Sequence, residues 1–496
     1  MSVDEKKMLR GVEKESLRAD ASGFLAHTGH PTALGSALTH PHITTDFCES
    51  QVELITGVHP SAEACYNELW AIQCFTQQGI NDEMLWVSSM PCQLPEDDNA
   101  IPLGQYGQSN IGQAKTVYRR GLGFRYGRRM QTISGIHYNW SLPGVSSEQY
   151  FGLIRNFRRN AFLLLYLFGA SPAVASSFVE GRKHRLQALN EETLYLPYAT
   201  SLRMGRLGYQ SDAQSALAVS YNGLEGYAKS LQSALTTPYP AYEAIGLQDA
   251  DGLHYRQLST ALLQIENEFY GTIRPKRPIR SGERPLHALR ERGVEYIEVR
   301  LMDLDPFEPV GIHPQTMRFL DVFLLHCLQT DSPPDTPEEI AALSRNQHKV
   351  AEQGRMPNLT LERGKASVPL HDWGMEIIEQ LRPIAAELGD DYITAVNAAH
   401  NSLLHPETLP SARVLRSIVD DFGGSFVAFT QAQSRKTRDT MLQTDLTPEQ
   451  QQQLAILGKM ATQSLQEQAD QEWSDSTIPF ATYLHHYLSP EQLEIL

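Results

Sequence analysis

Glu13 and Glu15 stand two residues apart in the stretch GVEKES, which begins at Gly11. If this stretch is a strand, its side chains alternate, so Gly11 and both carboxylates share one face. The stretch SGIHYNWSL over 134–142 puts Gly135, His137, Asn139 and Ser141 on one side and Ile136, Tyr138, Trp140 and Leu142 on the other. VEYIEVRLMD over 294–303 likewise sets Tyr296, Glu298 and Arg300 against Ile297, Val299 and Leu301. TTDFCESQVELITG reads instead as a helix capped at Asp46, with Asp46, Glu49 and Glu53 in one arc. Asp46 and Glu49 fit a D-x-x-E capping box, so Glu53 alone lacks a local explanation. Together Glu13, Glu15, Asp46, Glu53, His137 and Glu298 exceed the needs of one hard cation and suit two or three Mg2+ ions. A carboxylate-lined site of that kind points to phosphoryl chemistry. Neither G-x-x-x-x-G-K-[ST] nor G-x-G-x-x-G occurs, so arginine and lysine must meet the phosphates. The candidates are Arg300 beside Glu298, Arg119 in TVYRRGLG, and the run IRPKRPIRSGER from Ile273, which holds Arg274 and Lys276.

Antiparallel sheets often leave one face in water, and a polar face is then merely solvated. Three polar faces rich in Glu, His, Asn and Arg, with almost no Lys or Thr, weigh against that reading. The elements that must position these faces are mostly helical. SSEQ from Ser146, TPEE from Thr336, TPEQ from Thr447 and SPEQ from Ser489 read as capping boxes, three of them with proline at the first helical position. AFLLLYLFGA from Ala161 is about half the length of a bilayer span and reads as a buried helix. The glutamine-rich TPEQQQQLAILGK reads as a polar-faced helix, and TDSPPDTPEE near 330–336 separates a mixed body from a helical C-terminal third. No repeat at a fixed period is visible.

At 496 residues and 41% hydrophobic, the chain can bury a large core, and its net charge of −16 repels nucleic acid and anionic membrane surfaces. Five scattered cysteines (Cys48, Cys65, Cys74, Cys92, Cys327) contain no C-x-x-C pair, so a reducing compartment is expected, with neither a disulfide framework nor a zinc finger. Cys48 reads as a small packing residue. His27, His30, His40 and His42 read as loop residues, because no cysteine or fixed pair completes a tetrahedral zinc set. The N-terminus lacks the apolar segment of a signal peptide, and the expected location is the cytoplasm.

GVEKESLR, HPTALGSALTHPHITTDFCESQVELITG, YRRGLGFRYGRRMQTISGIHYNWSLP, YLPYATSLRMGRLGYQSDAQ, LQIENEFYGTIRPKR and GVEYIEVRLMD resemble, in order and wording, the proteobacterial type of glutamate–cysteine ligase. The likeness runs from Gly11 to about Pro309 and continues more weakly beyond. It implies an α+β fold of the glutamine synthetase type, in which a curved antiparallel sheet of about six strands forms a funnel surrounded by helices. It also implies one catalytic domain over 1–496, with 336–496 a mainly helical part packed on it. The implied reaction joins the γ-carboxylate of glutamate to the amine of cysteine at the expense of ATP, through a γ-glutamyl phosphate, as the first step of glutathione synthesis. Residue by residue, the implied metal ligands are Glu13, Glu15, Asp46, Glu53, His137 and Glu298, holding two or three Mg2+ ions for which Mn2+ can substitute. Arg300 would face the transferred phosphate, with Glu298 and Arg119 also catalytic and Arg274 and Lys276 on the ATP phosphates. Arg203, Tyr209 and Tyr270 would hold the cysteine carboxylate, and Phe47, Tyr118, Leu122 and Gln131 would surround its side chain. Without the resemblance, Tyr209 and Tyr270 read as core aromatics, and Arg203 ranks no higher than Arg206. A reactive acyl phosphate needs shielding from water, and RPKRPIRSGER is the expected lid. A monomer with glutathione as feedback inhibitor is expected. A γ-glutamyl ligase with another amine acceptor, a metal-dependent phosphohydrolase and a non-catalytic binding protein stay open beside this reading.

Overall fold

The three alternating stretches become neighbouring strands of one antiparallel sheet. The structure is a computed structural model that describes residues 4–494 except 209–211, 216, 218, 281, 444 and 476. The first strands of the chain are β1 (Leu9–Ala19), β2 (Ile43–Thr45), β3 (Gln51–Ile55), β4 (Met84–Leu85) and β5 (Ile136–Ser141). β6 (Ala173–Ala175), β7 (Gln187–Ala188) and β8 (Thr193–Tyr195) form a small sheet of their own, in the order β6-β8-β7. β9 (Ile273–Lys276) and β10 (Tyr296–Met302) then return to the main sheet, whose order is β2-β3-β1-β5-β10-β9, with β4 pairing the end of β1. This open, all-antiparallel sheet among many helices is the expected α+β architecture.

Register decides what meets what. Glu15 lies opposite Glu53, Glu13 opposite His137, and Glu298 opposite Asn139, so the polar residues of four strands share one face. On the other face Val12, Ile136, Tyr138, Trp140, Ile297 and Val299 are fully buried. They pack beneath α1 (Ala62–Gly79), α3 (Ser147–Phe168) and the helix Pro314–Gln329, while α2 (Asn110–Tyr126) stands beside the polar face. Each fully buried aliphatic side chain is worth about 2 kcal/mol, so this face contributes on the order of 10 kcal/mol and offsets the cost of crowding carboxylates on the other. A buried ion pair ties sheet to helix: Arg10 Nη2 lies 3.0 Å from Asp321 Oδ2, and the Tyr138 hydroxyl donates to Asp321 Oδ1 at 2.7 Å. The largest apolar cluster runs from Met8 to Leu493, with α3 against the helices Pro314–Gln329 and Pro337–Gln353.

The capping boxes at Ser146 and Thr447 are both made reciprocally, and Thr336 accepts from the Glu339 amide. SPEQ at Ser489 is different: it opens a short 3-10 turn, and the serine side chain makes no cap. AFLLLYLFGA forms the buried end of α3, and the glutamine-rich stretch forms the helix Pro448–Asp475, which buries Leu457, Ala461 and Ser464. No helix among the described residues is long and apolar enough to cross a membrane.

The segment expected to be a helix capped at Asp46 is a strand, a turn and a strand. Val52 and Leu54 are fully buried on the core side while Glu53 faces Glu15, a period of two. The Asp46 amide donates to the Gln51 carbonyl across the turn, so no capping box exists. The Glu49 carboxylate instead accepts from the backbone amides of His30 and Gln105. In a segment this short the two periods separate poorly, and pairing with β1 decides the matter. Ile273–Lys276 is paired to β10, and Arg284 is buried in a two-pronged pair with Glu266, so RPKRPIRSGER is pinned at both ends.

Candidate functional site

His137 is the hub of the polar face. Its Nδ1 lies 3.2 Å from Glu13 Oε2 and 3.9 Å from Glu298 Oε1, and its Nε2 lies 3.6 Å from Glu15 Oε1. Two sets of donors, Glu13/His137/Glu298 and Glu15/Glu53/His137, each gather within 4.8 Å. Asp46, just after β2, adds its negative charge beside the second set from the cavity side.

The two sets differ in charge balance. Burial pushes Glu298 up, but Lys276, Arg300, His137 and Arg274 outweigh it and hold the carboxyl well below the usual range. Lys276 Nζ is 3.3 Å from Glu298 Oε1 and Arg300 Nη1 is 3.0 Å from Oε2. Burial likewise opposes ionisation of Glu13, and its hydrogen bond with His137 wins. Glu15 and Glu53 have no such excess of cations. Burial and Asp46 push Glu15 up to about 8, although Arg203 and Arg300 pull the other way. Burial and the neighbouring Glu13, Asp46 and Glu15 push Glu53 far up. Burial and Arg300 depress His137, leaving a neutral imidazole that can offer a lone pair. Oxygen donors with one neutral nitrogen and uncompensated negative charge are what a hard divalent cation binds, so the residues fit metal ions at this face.

Beside this polar face opens a cavity of about 520 Å3. Of the residues predicted to act here, Glu15, Asp46, Phe47, Tyr118, Arg119, Leu122, Gln131, Arg203, Tyr270 and Arg300 all line it. α2 supplies Tyr118, Arg119 and Leu122 from successive turns. Arg119 donates to the Asp46 and Thr45 carbonyls and lies over the Tyr106 ring at 4.4 Å, so it buttresses the turn that carries Asp46. Gln131 Nε2 donates to the Tyr270 hydroxyl at 3.0 Å. Arg203 is almost fully buried and donates to the Arg300 and Met302 carbonyls. It passes so close to Gly135 that a methyl group there would overlap its guanidinium. At Arg300 the pairing of β10 with β5 slips, and the Arg300 amide donates to the Thr272 carbonyl just before β9. Such a bulge bends its strand and re-aims a side chain.

Arg274 is not in the cavity. Its Nη2 donates to the Asn267 and Phe269 carbonyls, while its Nη1 lies 4.0 Å from Glu298 Oε2 on the polar face. Tyr209 lies outside the described residues. Sequence reasoning missed Asp303, whose carboxylate accepts from Ser171, Ser201 and the Ala170 amide 3.8 Å from Arg203. It also missed Arg125, Tyr126 and Glu268 on the far wall. The stretches YRRGLGFRYGRRMQ and LQIENEFYG contain them, but their roles rest on contacts spanning some 140 positions that no local pattern reveals. Cys48 is fully buried and its thiol is pushed up to about 12 by burial, so it is no nucleophile. All five cysteines are buried and none forms a disulfide.

A family model described as glutamate–cysteine ligase matches residues 4–145 and 144–350. Proteins named glutamate–cysteine ligase from Saccharophagus degradans and Azotobacter vinelandii are each 47% identical to the chain, covering 98% and 94% of it and 95% and 92% of themselves. The crystal structure of a glutamate–cysteine ligase from Francisella tularensis in complex with AMP is similar with a TM-score of 0.92 and 36% identity, over 98% of both chains. A bifunctional glutathione synthetase from Pasteurella multocida is similar with a TM-score of 0.69 and 25% identity, over 88% of this chain and 53% of that one.

Proposed function

The chain belongs to the glutamate–cysteine ligase family, and from that premise we infer that it joins the γ-carboxylate of L-glutamate to the amine of L-cysteine using ATP, giving γ-glutamylcysteine, ADP and phosphate. The observation that carries the reading is the junction of two donor sets sharing His137 with a cavity lined by Arg203, Tyr270 and Gln131. A phosphohydrolase needs the first feature and has no use for the second.

Glu15, Glu53, Asp46 and His137 would hold one Mg2+ ion, and Glu13, Glu298 and His137 another; Mn2+ presents the same hard-acid chemistry. Held there, the ions would supply positive charge to offset the phosphate oxygens of ATP. The γ-carboxylate of glutamate and the γ-phosphate are both anionic, and Arg300, at the cavity edge, cancels charge between them. Lys276 is held charged by Glu298 against the effect of burial and adds a second cation on the same side. Arg203 faces the acceptor carboxylate together with Tyr270, which Gln131 orients. Phe47, Tyr118 and Leu122 form an apolar recess for the acceptor side chain, offering no partner that requires sulfur. The acceptor amine attacks the γ-glutamyl phosphate, and phosphate leaves.

One apolar cluster from end to end supports a single catalytic unit over 1–496, including the helical part from 336. Five buried, unpaired cysteines fit a reducing cytoplasm. A monomer with glutathione as feedback inhibitor completes the reading. The test is ADP release with ATP and Mg2+ given glutamate alone, glutamate with cysteine, and glutamate with 2-aminobutyrate. Turnover with both amines and little with glutamate alone is expected. Equal turnover without an amine would establish a phosphohydrolase, and none with either amine would overturn the acceptor assignment.

A further inference from the structure

The wall of the cavity opposite the polar face is organised around one buried carboxylate. Glu268 is only 1% exposed. Its Oε1 accepts from the Tyr126 hydroxyl at 2.6 Å and from Arg125 Nη1 at 3.0 Å, and its Oε2 accepts from the Gln264 amide at 2.6 Å. Both partners are cavity-lining side chains at the C-terminal end of α2, the helix that also presents Tyr118, Arg119 and Leu122. The Tyr126 ring meets the Tyr270 ring edge-on at 5.9 Å. Arg125 is held on three further sides: it donates to the Gln257 carboxamide and the Ser259 carbonyl and lies over the Tyr242 ring at 4.1 Å. Gln214 closes the cluster, donating to the Tyr126 hydroxyl and the Glu268 carbonyl while accepting from the Tyr270 amide.

A salt bridge buried this deeply does not earn its place through stability alone, because desolvating both ions costs about as much as their attraction returns. What it supplies is geometry. The carboxylate fixes Tyr126, whose ring meets Tyr270, and Arg125 beside it, and Tyr270 in turn takes the Gln131 hydrogen bond.

We propose that Glu268 is a positioning residue of the acceptor subsite: acting through Tyr126 and Arg125, it sets the wall against which Tyr270 and Gln131 grip the amino-acid acceptor. The inference rests on the assignment of this cavity to the acceptor. It places Glu268 outside the phosphoryl-transfer machinery, since none of its contacts reach Glu13, Glu15, His137, Glu298 or Arg300.

The test compares wild type, Glu268→Ala, Glu268→Gln, Tyr126→Phe and the Glu268→Ala/Tyr126→Phe double variant, measuring KM separately for ATP, glutamate, cysteine and 2-aminobutyrate. Losing a charged hydrogen bond corresponds to a rise of about tenfold or more in KM for either acceptor. The KM values for ATP and glutamate stay within about twofold. Glu268→Gln, which keeps an acceptor oxygen but loses the charge and opposes its amide to a backbone or guanidinium donor, falls between wild type and Glu268→Ala. Because Glu268 acts through Tyr126, the double variant is no worse than about the more severe single one. KM values rising together for all four substrates, an unchanged acceptor KM, or additive single effects would each overturn the proposal. Should Glu268→Ala fail to fold, Glu268→Gln and Tyr126→Phe decide it by the same split. A wild-type protein that turns over with no amine acceptor refutes the cavity's assignment instead, so the two failures are told apart.

Discussion

Glu53→Gln should make the protein more stable without metal and almost inactive with it. The carboxylates of Glu15 and Glu53 belong to a donor set whose atoms lie within 4.8 Å of one another. Two unit charges at that distance repel by about 3 kcal/mol at an effective dielectric near 20. Burial and the negative neighbours Glu13, Asp46 and Glu15 already push the Glu53 carboxyl far up. A folded-state pKa above the unfolded value means that the folded protein holds extra protons. The stability this contributes is complete below about 4.5 and is lost as pH rises; for Glu15 the loss runs to about 8. Near neutral pH the metal-free fold therefore holds Glu53 protonated to escape that repulsion, at the cost of taking up a proton, and a neutral amide of the same shape avoids the cost. Unfolding entropy of about 2.1 cal/mol/K per residue over 496 residues makes 1 kcal/mol worth about one degree, so Tm should rise by about 3 °C in EDTA. Excess Mg2+ should raise the wild-type Tm by several degrees and the variant far less, because a ligand stabilises only the fold that binds it. Differential scanning calorimetry of both proteins, with EDTA and with Mg2+, measures all four values. A variant that melts at or below the wild type in EDTA, or equal stabilisation of both by Mg2+, would refute the reasoning.

Gly135→Ala forces Arg203 aside, so the acceptor KM should rise on the order of tenfold with the ATP KM unchanged, read by steady-state kinetics. His30 and His40 are each held neutral by burial, down to about 4. Their folded-state pKa lies below the ordinary 6.5, so stability falls as pH drops from 6.5 towards 4, by up to about 3 kcal/mol per histidine. Urea midpoints across that window should show the decline, and His30→Asn should make it shallower. Asp321→Ala leaves Arg10 buried without its partner and should cost about 3–5 kcal/mol in chemical denaturation, whereas Glu362→Ala, which breaks the exposed pair with Arg345, should cost less than about 1.

How far the sequence carried these readings depended on the scale of the signal. Alternation of small and large, polar and apolar residues in GVEKES and SGIHYNWSL is local, and it places Glu13, Glu15 and His137 on one face because a strand has no freedom to do otherwise. Glu53 reached the same face by a different element from the one expected, since five residues of β3 fit either period and only their partner strand chooses. Arg274 and Lys276 look alike in IRPKRPIRSGER, and alternation along β9 puts both on the face of Glu298; that Arg274 also ties down the Asn267 and Phe269 carbonyls is visible only in the fold. Glu268 and Asp303 were illegible for another reason. Their meaning lies in what they touch, Tyr126 and Ser171 respectively, and those partners are fixed by the packing of whole elements.

The claim at the centre of this account is that glutamate is activated by phosphorylation before the amine attacks. Glutamate labelled with oxygen-18 in its γ-carboxylate tests it most directly: the phosphate released during ligation to cysteine should carry one labelled oxygen from the carboxylate. Unlabelled phosphate, formed at the same rate as γ-glutamylcysteine, would contradict it.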